Sequence, residues 1–268
     1  MLISEALKLK DKAFISLVGA GGKSSILQIL TEELREKKKR IILTTTTKMF
    51  TDQLNLFLEE GQVIESFNAQ VMEENIKSYF QQDKNGIIIL LNQRLIENGR
   101  EKFTGPKRSY LNYWWREGLA DFFIVEADGA RGRPIKAPTY YEPVVPKMTT
   151  DLVGVIGIEA VGLRLGEENV FRSSIFSSLT GLKWGKKINT EVIVALINHP
   201  AGLFKNSPKF ARRYLFLNKV NNREKDSIAT EVAFQVMMNN QARINAIIIG
   251  DTLQKDSSIL KVVSGKIT

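Results

Sequence analysis

The run Gly19-Ala20-Gly21-Gly22-Lys23-Ser24-Ser25 holds the residue types best suited to chemistry in this chain. Glycines let a backbone take positive φ and turn successive N–H groups toward one point, which makes a nest for an anion. A lysine at the end of such a nest neutralises phosphate charge, and the serine hydroxyl next to it can ligate Mg²⁺. The run follows a short apolar stretch, Ala13–Val18, and precedes Ile26, Leu27, Ile29, Leu30 and Leu34 at helical spacing. Strand, glycine turn and helix in that order form the setting of a phosphate-binding loop, because the helix N-terminus adds unpaired N–H donors and dipole charge. Two residues separate Gly19 from Gly22, where the common loop has four. Gly19, Ala20, Gly21, Gly22, Lys23, Ser24 and Ser25 are therefore expected to hold the phosphates of ATP or GTP. Lys23 would also act on the transferring phosphoryl group and Ser24 on Mg²⁺.

Three further segments could complete such a site. In Phe122-Phe123-Ile124-Val125-Glu126-Ala127-Asp128-Gly129, acids emerge from an apolar run, similar to a Walker B strand. Glu126 or Asp128 is expected to hold Mg²⁺ or its waters, or to orient a nucleophile. Arg131, Arg133 and Lys136 follow as cations able to stabilise charge on a phosphoryl group, with Arg131 the catalytic candidate. Thr44-Thr45-Thr46-Thr47-Lys48 ends a second strand, and in open α/β sheets ligands gather beyond the carboxyl ends of strands. Thr46, Thr47 and Lys48 are thus expected to face the phosphates, and Thr46 to join Ser24, Glu126 and Asp128 around the metal. Asn218-Lys219-Val220-Asn221 is similar to the Asn-Lys-x-Asp element that reads guanine, which places Asn218 and Lys219 at the nucleotide. The amide of Asn221 offers an acceptor and a donor where guanine asks for two acceptors, so the base stays open. His199 is expected to be a structural hydrogen-bonding residue rather than a general base, and Trp114-Trp115 to pack in the core.

Composition removes whole classes of chemistry. There is no cysteine and a single histidine, which excludes disulfides, thiolate metal sites, a cysteine nucleophile and a multi-histidine centre. A metal would have to sit among oxygen ligands, which suits Mg²⁺. The net charge of +9 raises the question of nucleic acid. The cations are dispersed, however, and the dense run Lys37-Lys38-Lys39-Arg40 ends a predicted helix, where cations face the C-terminal dipole. A nucleic-acid partner is not expected. Apolar runs such as Ile87–Leu91 and Ile247–Ile249 are too short to span a bilayer. The start, Met1–Ala6, lacks a secretory pattern, so a cytoplasmic location with no membrane partner is expected.

These groups must be positioned by the elements around them. Strands are predicted at Ala13–Val18, Ile41–Leu43, Gly86–Leu91, Phe122–Val125, Leu152–Ile158, Tyr214–Leu217 and Ile244–Ile249. Helices are predicted from Ser24, at Gln70–Gln81, Tyr110–Leu119 and Arg223–Met238, while Thr190–Ile197 fits either state. Alternating elements of this kind imply a three-layer, P-loop NTPase-like α/β fold, with a mostly parallel sheet and helices on both faces. One domain over 1–268 is expected, with room for a small lobe near 160–210.

Beyond the phosphate loop and the threonine run, Val125-Glu126-Ala127-Asp128-Gly129-Ala130-Arg131-Gly132 and Ile135-Lys136-Ala137-Pro138 carry a wider likeness. With Glu142-Pro143-Val144-Val145-Pro146, His199-Pro200-Ala201-Gly202, Lys205 and Asn218-Lys219-Val220, the chain resembles the YqeC family of selenium-dependent hydroxylase accessory proteins. The shortened loop itself resembles that of the Mur-ligase branch of P-loop proteins. The resemblance implies a bacterial accessory factor in the maturation of selenium-dependent molybdenum hydroxylases, partnered with such an enzyme or with its cofactor-assembly proteins. An NTPase that drives or gates assembly is the leading reading, since the chain has no thiol to carry selenium. The alternatives are a small-molecule kinase and a non-hydrolysing carrier of a nucleotide or pterin dinucleotide. The chain departs from the family pattern at Val170-Phe171-Arg172-Ser173, where His-Arg-Pro is common, and at Asn221, where aspartate is common.

Overall fold

Apolar runs in this sequence become strands buried on both faces, as a parallel sheet flanked by helices requires. The protein is seen in a computed structural model that describes residues 1–50, 61–97, 99–254 and 259–264. The first half contains α1 (Ile3–Ala6), β1 (Ala13–Gly19), α2 (Lys23–Glu36), β2 (Ile41–Thr45), β3 (Lys48–Phe50), β4 (Gln62–Glu65), α3 (Ala69–Gln82), β5 (Ile87–Leu91), β6 (Gln93–Glu97), β7 (Arg100–Thr104), α4 (Arg108–Arg116) and β8 (Phe122–Glu126). The second half contains β9 (Ile135–Lys136), β10 (Asp151–Gly157), β11 (Val170–Phe171), α5 (Ser173–Thr180), α6 (Thr190–Asn198), β12 (Arg212–Asn218), α7 (Arg223–Met238), β13 (Ala246–Gly250) and β14 (Ile259–Val263).

A nine-stranded sheet runs β14-β13-β12-β10-β1-β8-β2-β5-β4, with β1 at its centre. Its pairings are parallel except that of β13 with β14. Alternate residues of each strand serve opposite faces. Ile15 and Leu17 of β1, Ile124 of β8, Val153 of β10 and Phe216 of β12 pack with Ile26, Leu27, Leu30 and Leu34 of α2. On the other face, Phe14, Ile42, Phe123 and Val125 meet Met72, Ile76 and Phe80 of α3 and Leu111 and Trp114 of α4. The rest of that face, including Val18, Leu152, Leu215 and Ile247, meets Phe176 of α5, Ile193 and Leu196 of α6 and Val232 and Val236 of α7. The segment 160–210 therefore joins the core of the main sheet.

The fold follows the three-layer α/β expectation, and the predicted strands and helices lie within a few residues of those observed. Thr190–Ile197 resolves as a helix. Asn189 caps it by accepting the N–H of Val192 at 3.1 Å, and a side-chain cap of this kind marks a helix start. A second, three-stranded antiparallel sheet, β3-β7-β6, was not anticipated. Its strand β6 buries little, so hydrophobic patterning carries almost no trace of it. This small sheet nevertheless extends the chain past the C-terminal end of β2 and forms one wall of the candidate site.

Candidate functional site

The C-terminal end of β1 turns through Gly19–Gly22 into α2, which begins at Lys23. Gly21 and Gly22 adopt φ of +87° and +128°, a region that side chains with a Cβ avoid. A Cβ on Gly21 would strike the backbone of Gly157, and one on Gly22 would strike the amide of Asn218. α2 has no side-chain N-cap and no acid in its first turn. The positive end of its dipole, with the N–H groups there, is thus directed at the groove in front of the loop.

Because β8 pairs directly with β1, its terminal acid reaches the loop. Lys23, 4% exposed, donates to the carbonyl of Gly19 at 2.6 Å. Its ammonium lies 3.2 Å from Asp128 and 3.8 Å from Glu126. Asp128 also accepts the N–H of Gly19 at 3.0 Å and sits 3.1 Å from Lys136. Lys136 in turn holds Glu142 at 2.9 Å, and Glu142 receives both terminal nitrogens of Arg172. Three acids and three bases thus form one balanced, mostly buried chain from the loop lysine to Arg172. Burial alone would lower the Lys23 pKa, but the neighbouring Asp128 and Glu126 outweigh it and raise the pKa above the ordinary lysine value. Burial pushes the Glu126 carboxyl above its usual range, with Lys23 opposing only in part. Burial would also raise Glu142, yet its hydrogen bond with Arg172 and the charge of Lys136 hold it below that range.

Two clefts open on this cluster. One, of 270 Å³, is lined by Gly21–Ser25, Glu126, Ala130–Arg133 and Lys219. The other, of 440 Å³, shares Glu126, Ala130, Arg131 and Gly132 and continues past Thr46, Thr47 and Lys48 to Phe171 and Arg172. Gly21, Gly22, Lys23, Ser24, Ser25, Glu126, Arg131 and Lys219 thus line one groove, whereas Gly19 and Ala20 line neither cleft and give their N–H groups to Asp128 and Val155. Ser24 faces Glu126, with its hydroxyl 3.5 Å from the carboxylate. Thr46, Thr47 and Lys48 line the neighbouring cleft instead of the loop groove. The Thr46 hydroxyl donates to Val144 at 2.7 Å, and Lys48 pairs with Glu97. Asp128 lines neither cleft and braces the loop from behind. His199 is also outside both, its Nδ1 accepting the N–H of Ala201 at 3.0 Å.

Asn218 is fully buried and ties three segments together. Its amide donates to the carbonyl of Gly21 at 2.8 Å and to the Thr252 hydroxyl at 3.0 Å, while its oxygen accepts the Thr252 N–H at 3.0 Å. Asn218→Ala leaves these buried groups unpaired and is expected to cost roughly 2–3 kcal/mol in denaturant unfolding. An unchanged unfolding midpoint would show that the network is dispensable. Glu142, Phe171 and Arg172 were not among the expected site residues. Their signals were the Glu142-Pro143-Val144-Val145-Pro146 motif and the family position at Val170-Phe171-Arg172-Ser173. The Glu142 loop is held by Lys205, which donates to the carbonyls of Thr139 and Tyr140.

A central parallel strand, a glycine turn into a lysine-headed helix and an acid delivered by the adjacent strand define a P-loop-like α/β protein. Residues 15–174 match the family model described as YqeC protein, and the chain belongs to the YqeC family. The YqeC protein of Escherichia coli (strain K12) is 31% identical over 245 residues, which cover 90% of this chain and 88% of that protein. Among solved structures, the signal recognition particle receptor FtsY from Elizabethkingia anophelis aligns with a TM-score of 0.38 and 12% identity. That alignment covers 97% of this chain and 67% of FtsY. Among the described residues, no helix is long and apolar enough to cross a membrane.

Proposed function

We propose that this protein binds ATP or GTP with Mg²⁺ in the groove of Gly19–Ser25 and hydrolyses it slowly, as an accessory factor in the maturation of selenium-dependent molybdenum hydroxylases. The observation that carries the nucleotide reading is the positive-φ turn that runs into the uncapped N-terminus of α2, with Lys23 fixed between Glu126 and Asp128. Backbone N–H groups from Gly21 to Ser25 hold phosphate oxygens, and Lys23 exchanges its bond to the Gly19 carbonyl for the charge of the phosphates. The maturation role rests on the family to which the chain belongs.

Among the described residues no group of three or more His, Asp or Glu stands where it could hold a metal ion. Mg²⁺ commonly takes one or two protein oxygens, with phosphate and water supplying the rest. The Ser24 hydroxyl fits that demand as the protein ligand, with Glu126 beside it to hold a metal-bound water. Asp128 is engaged with Gly19, Lys23 and Lys136, and Thr46 lines the neighbouring cleft, so neither is needed. Mg²⁺ held there would neutralise charge on the phosphate oxygens. Glu126, with its raised pKa, accepts a proton from the attacking water, and Arg131 at the rim stabilises charge on the phosphoryl group.

The test is calorimetric titration of the full chain with ATP and with GTP, each with and without Mg²⁺, followed by phosphate release. Dissociation constants on the order of micromolar, dependent on Mg²⁺ and accompanied by slow release, are expected. Binding without release would replace hydrolysis by the carrier or the kinase reading. Binding of neither nucleotide would remove the loop from nucleotide chemistry.

A further inference from the structure

The larger cleft has a lining that the phosphate groove does not account for. Lys48 from β3, Lys102 from β7, Arg131 from the loop after β8 and Arg172 at the start of α5 converge on it from four parts of the chain. They face three carboxylates, Glu97, Glu126 and Glu142, and each of these already has cations. Glu97 is held by Lys48 and Lys102 at 3.2 and 2.8 Å. Glu142 is held by Lys136 and Arg172, and Glu126 lies near Lys23. Arg131 is left without a carboxylate among the described residues. Its guanidinium lies 5.2 Å from the centre of the Phe171 ring, a ring that Arg172 and Lys136 also approach, at 4.6 and 5.6 Å. Lys136 and Arg172 are neutralised by Asp128 and Glu142, so Arg131 is the cation of the three that gains a partner by taking up an anion. Arg131 and Arg172 both stand at positive φ, +50° and +64°. Non-glycine residues in that region are uncommon and gather at ligand sites.

The position of the cleft relative to the sheet decides what its ligand would meet. Lys219 follows β12 on one side of β1, and Thr46–Lys48 follow β2 on the other. On the function proposed above, a triphosphate running from the Lys219 side to Glu126 would leave the larger cleft, which shares Glu126 and does not reach Lys219, beyond its terminal phosphate. Its 440 Å³ is in the range of small-molecule sites.

We propose that this cleft binds a second, small organic anion, a carboxylate or phosphate ester, beside the terminal phosphate of the nucleotide, with Arg131 as its principal anchor. The placement beside a nucleotide rests on the function proposed above, whereas the anion site itself does not. Glu126, Ala130, Arg131 and Gly132 form the shared wall, so the two ligands would be in contact. The Thr47 hydroxyl also lines this cleft and can donate to the anion, whereas Thr46 donates to the Val144 carbonyl.

Crystals of the full chain soaked in tungstate, a tetrahedral oxyanion located by its anomalous scattering, test both sites at once. Two peaks are expected, one at the amides of Gly21–Ser25 and one in the larger cleft beside Arg131. A saturating nonhydrolysable triphosphate analogue should remove the first and leave the second. Arg131→Gln, a change at an exposed side chain, should weaken tungstate binding in the cleft about tenfold or more. A loop peak with none in the cleft overturns the second site and leaves the nucleotide reading intact. A cleft peak with none at the loop supports the anion cleft and counts against the nucleotide reading. Undiminished cleft binding in Arg131→Gln overturns the assignment of Arg131 as anchor.

Discussion

Lys23→Ala is expected to lower triphosphate affinity on the order of 100-fold, the loss of roughly 3 kcal/mol of charge-assisted binding in a desolvated site. The wild-type ammonium is placed in advance, 2.6 Å from the Gly19 carbonyl and between Asp128 and Glu126. Little side-chain entropy therefore remains to be lost when phosphate arrives. The variant should still fold, because Asp128 keeps Lys136 and the Gly19 N–H as partners. Only Glu126 loses its nearest cation, and a buried carboxyl answers such a loss by taking up a proton. Calorimetry with ATP and GTP, beside a thermal melt, separates the two effects. A folded variant with wild-type affinity would show that the loop does not hold the triphosphate.

Glu126→Gln is expected to retain the nucleotide and lose turnover by about 100- to 10,000-fold, the range of a general base. Its pH dependence gives a second readout. Burial raises the Glu126 pKa above the ordinary 4.5, and Lys23 opposes this only in part. A base works only when ionised, so kcat/KM, which reports the free enzyme, should rise with pH through an inflection above 4.5. Glutamine does not titrate, so that limb should vanish in the variant. Turnover at the wild-type rate with the same acid limb would show that another group takes the proton.

Arg131 connects these expectations to the neighbouring cleft, since it lines both grooves. An anion held there would sit against the same guanidinium that, on the proposed function, stabilises the terminal phosphate. Occupancy of one groove would then alter the charge seen by the other, with Glu126 between them. The buried chain through Lys136 and Glu142 to Arg172 gives the two grooves a further physical connection.

The local signals in this chain are strong wherever chemistry and secondary structure depend on near neighbours. The glycine turn was legible because its glycines, Lys23 and Ser24 are contiguous, and because strand and helix periodicity flank them. The central strands were legible because burial on both faces demands unbroken apolar runs such as Ile87–Leu91. The α7 boundaries Arg223–Met238 coincide with the predicted ones, and Asn222 caps its start by accepting the N–H of Lys225.

What tertiary structure alone decided is which way each polar side chain faces. Glu126 and Asp128 are two residues apart, yet the first opens on the clefts and the second braces the loop from behind. The sequence marks both equally as acids at a strand end. Asn218 has the appearance of a base-reading residue in sequence, but burial turns its amide onto Gly21 and Thr252. The union of Lys136, Glu142 and Arg172 with Lys23 joins residues up to about 150 positions apart, and no local pattern encodes such a pairing. Sequence by itself determined the elements and the glycine turn that ends in Lys23, because these depend on propensity, periodicity and contiguous residues. The partition of charged groups between groove and core was decided by strand order and packing, because the partners of a buried charge are chosen by the fold.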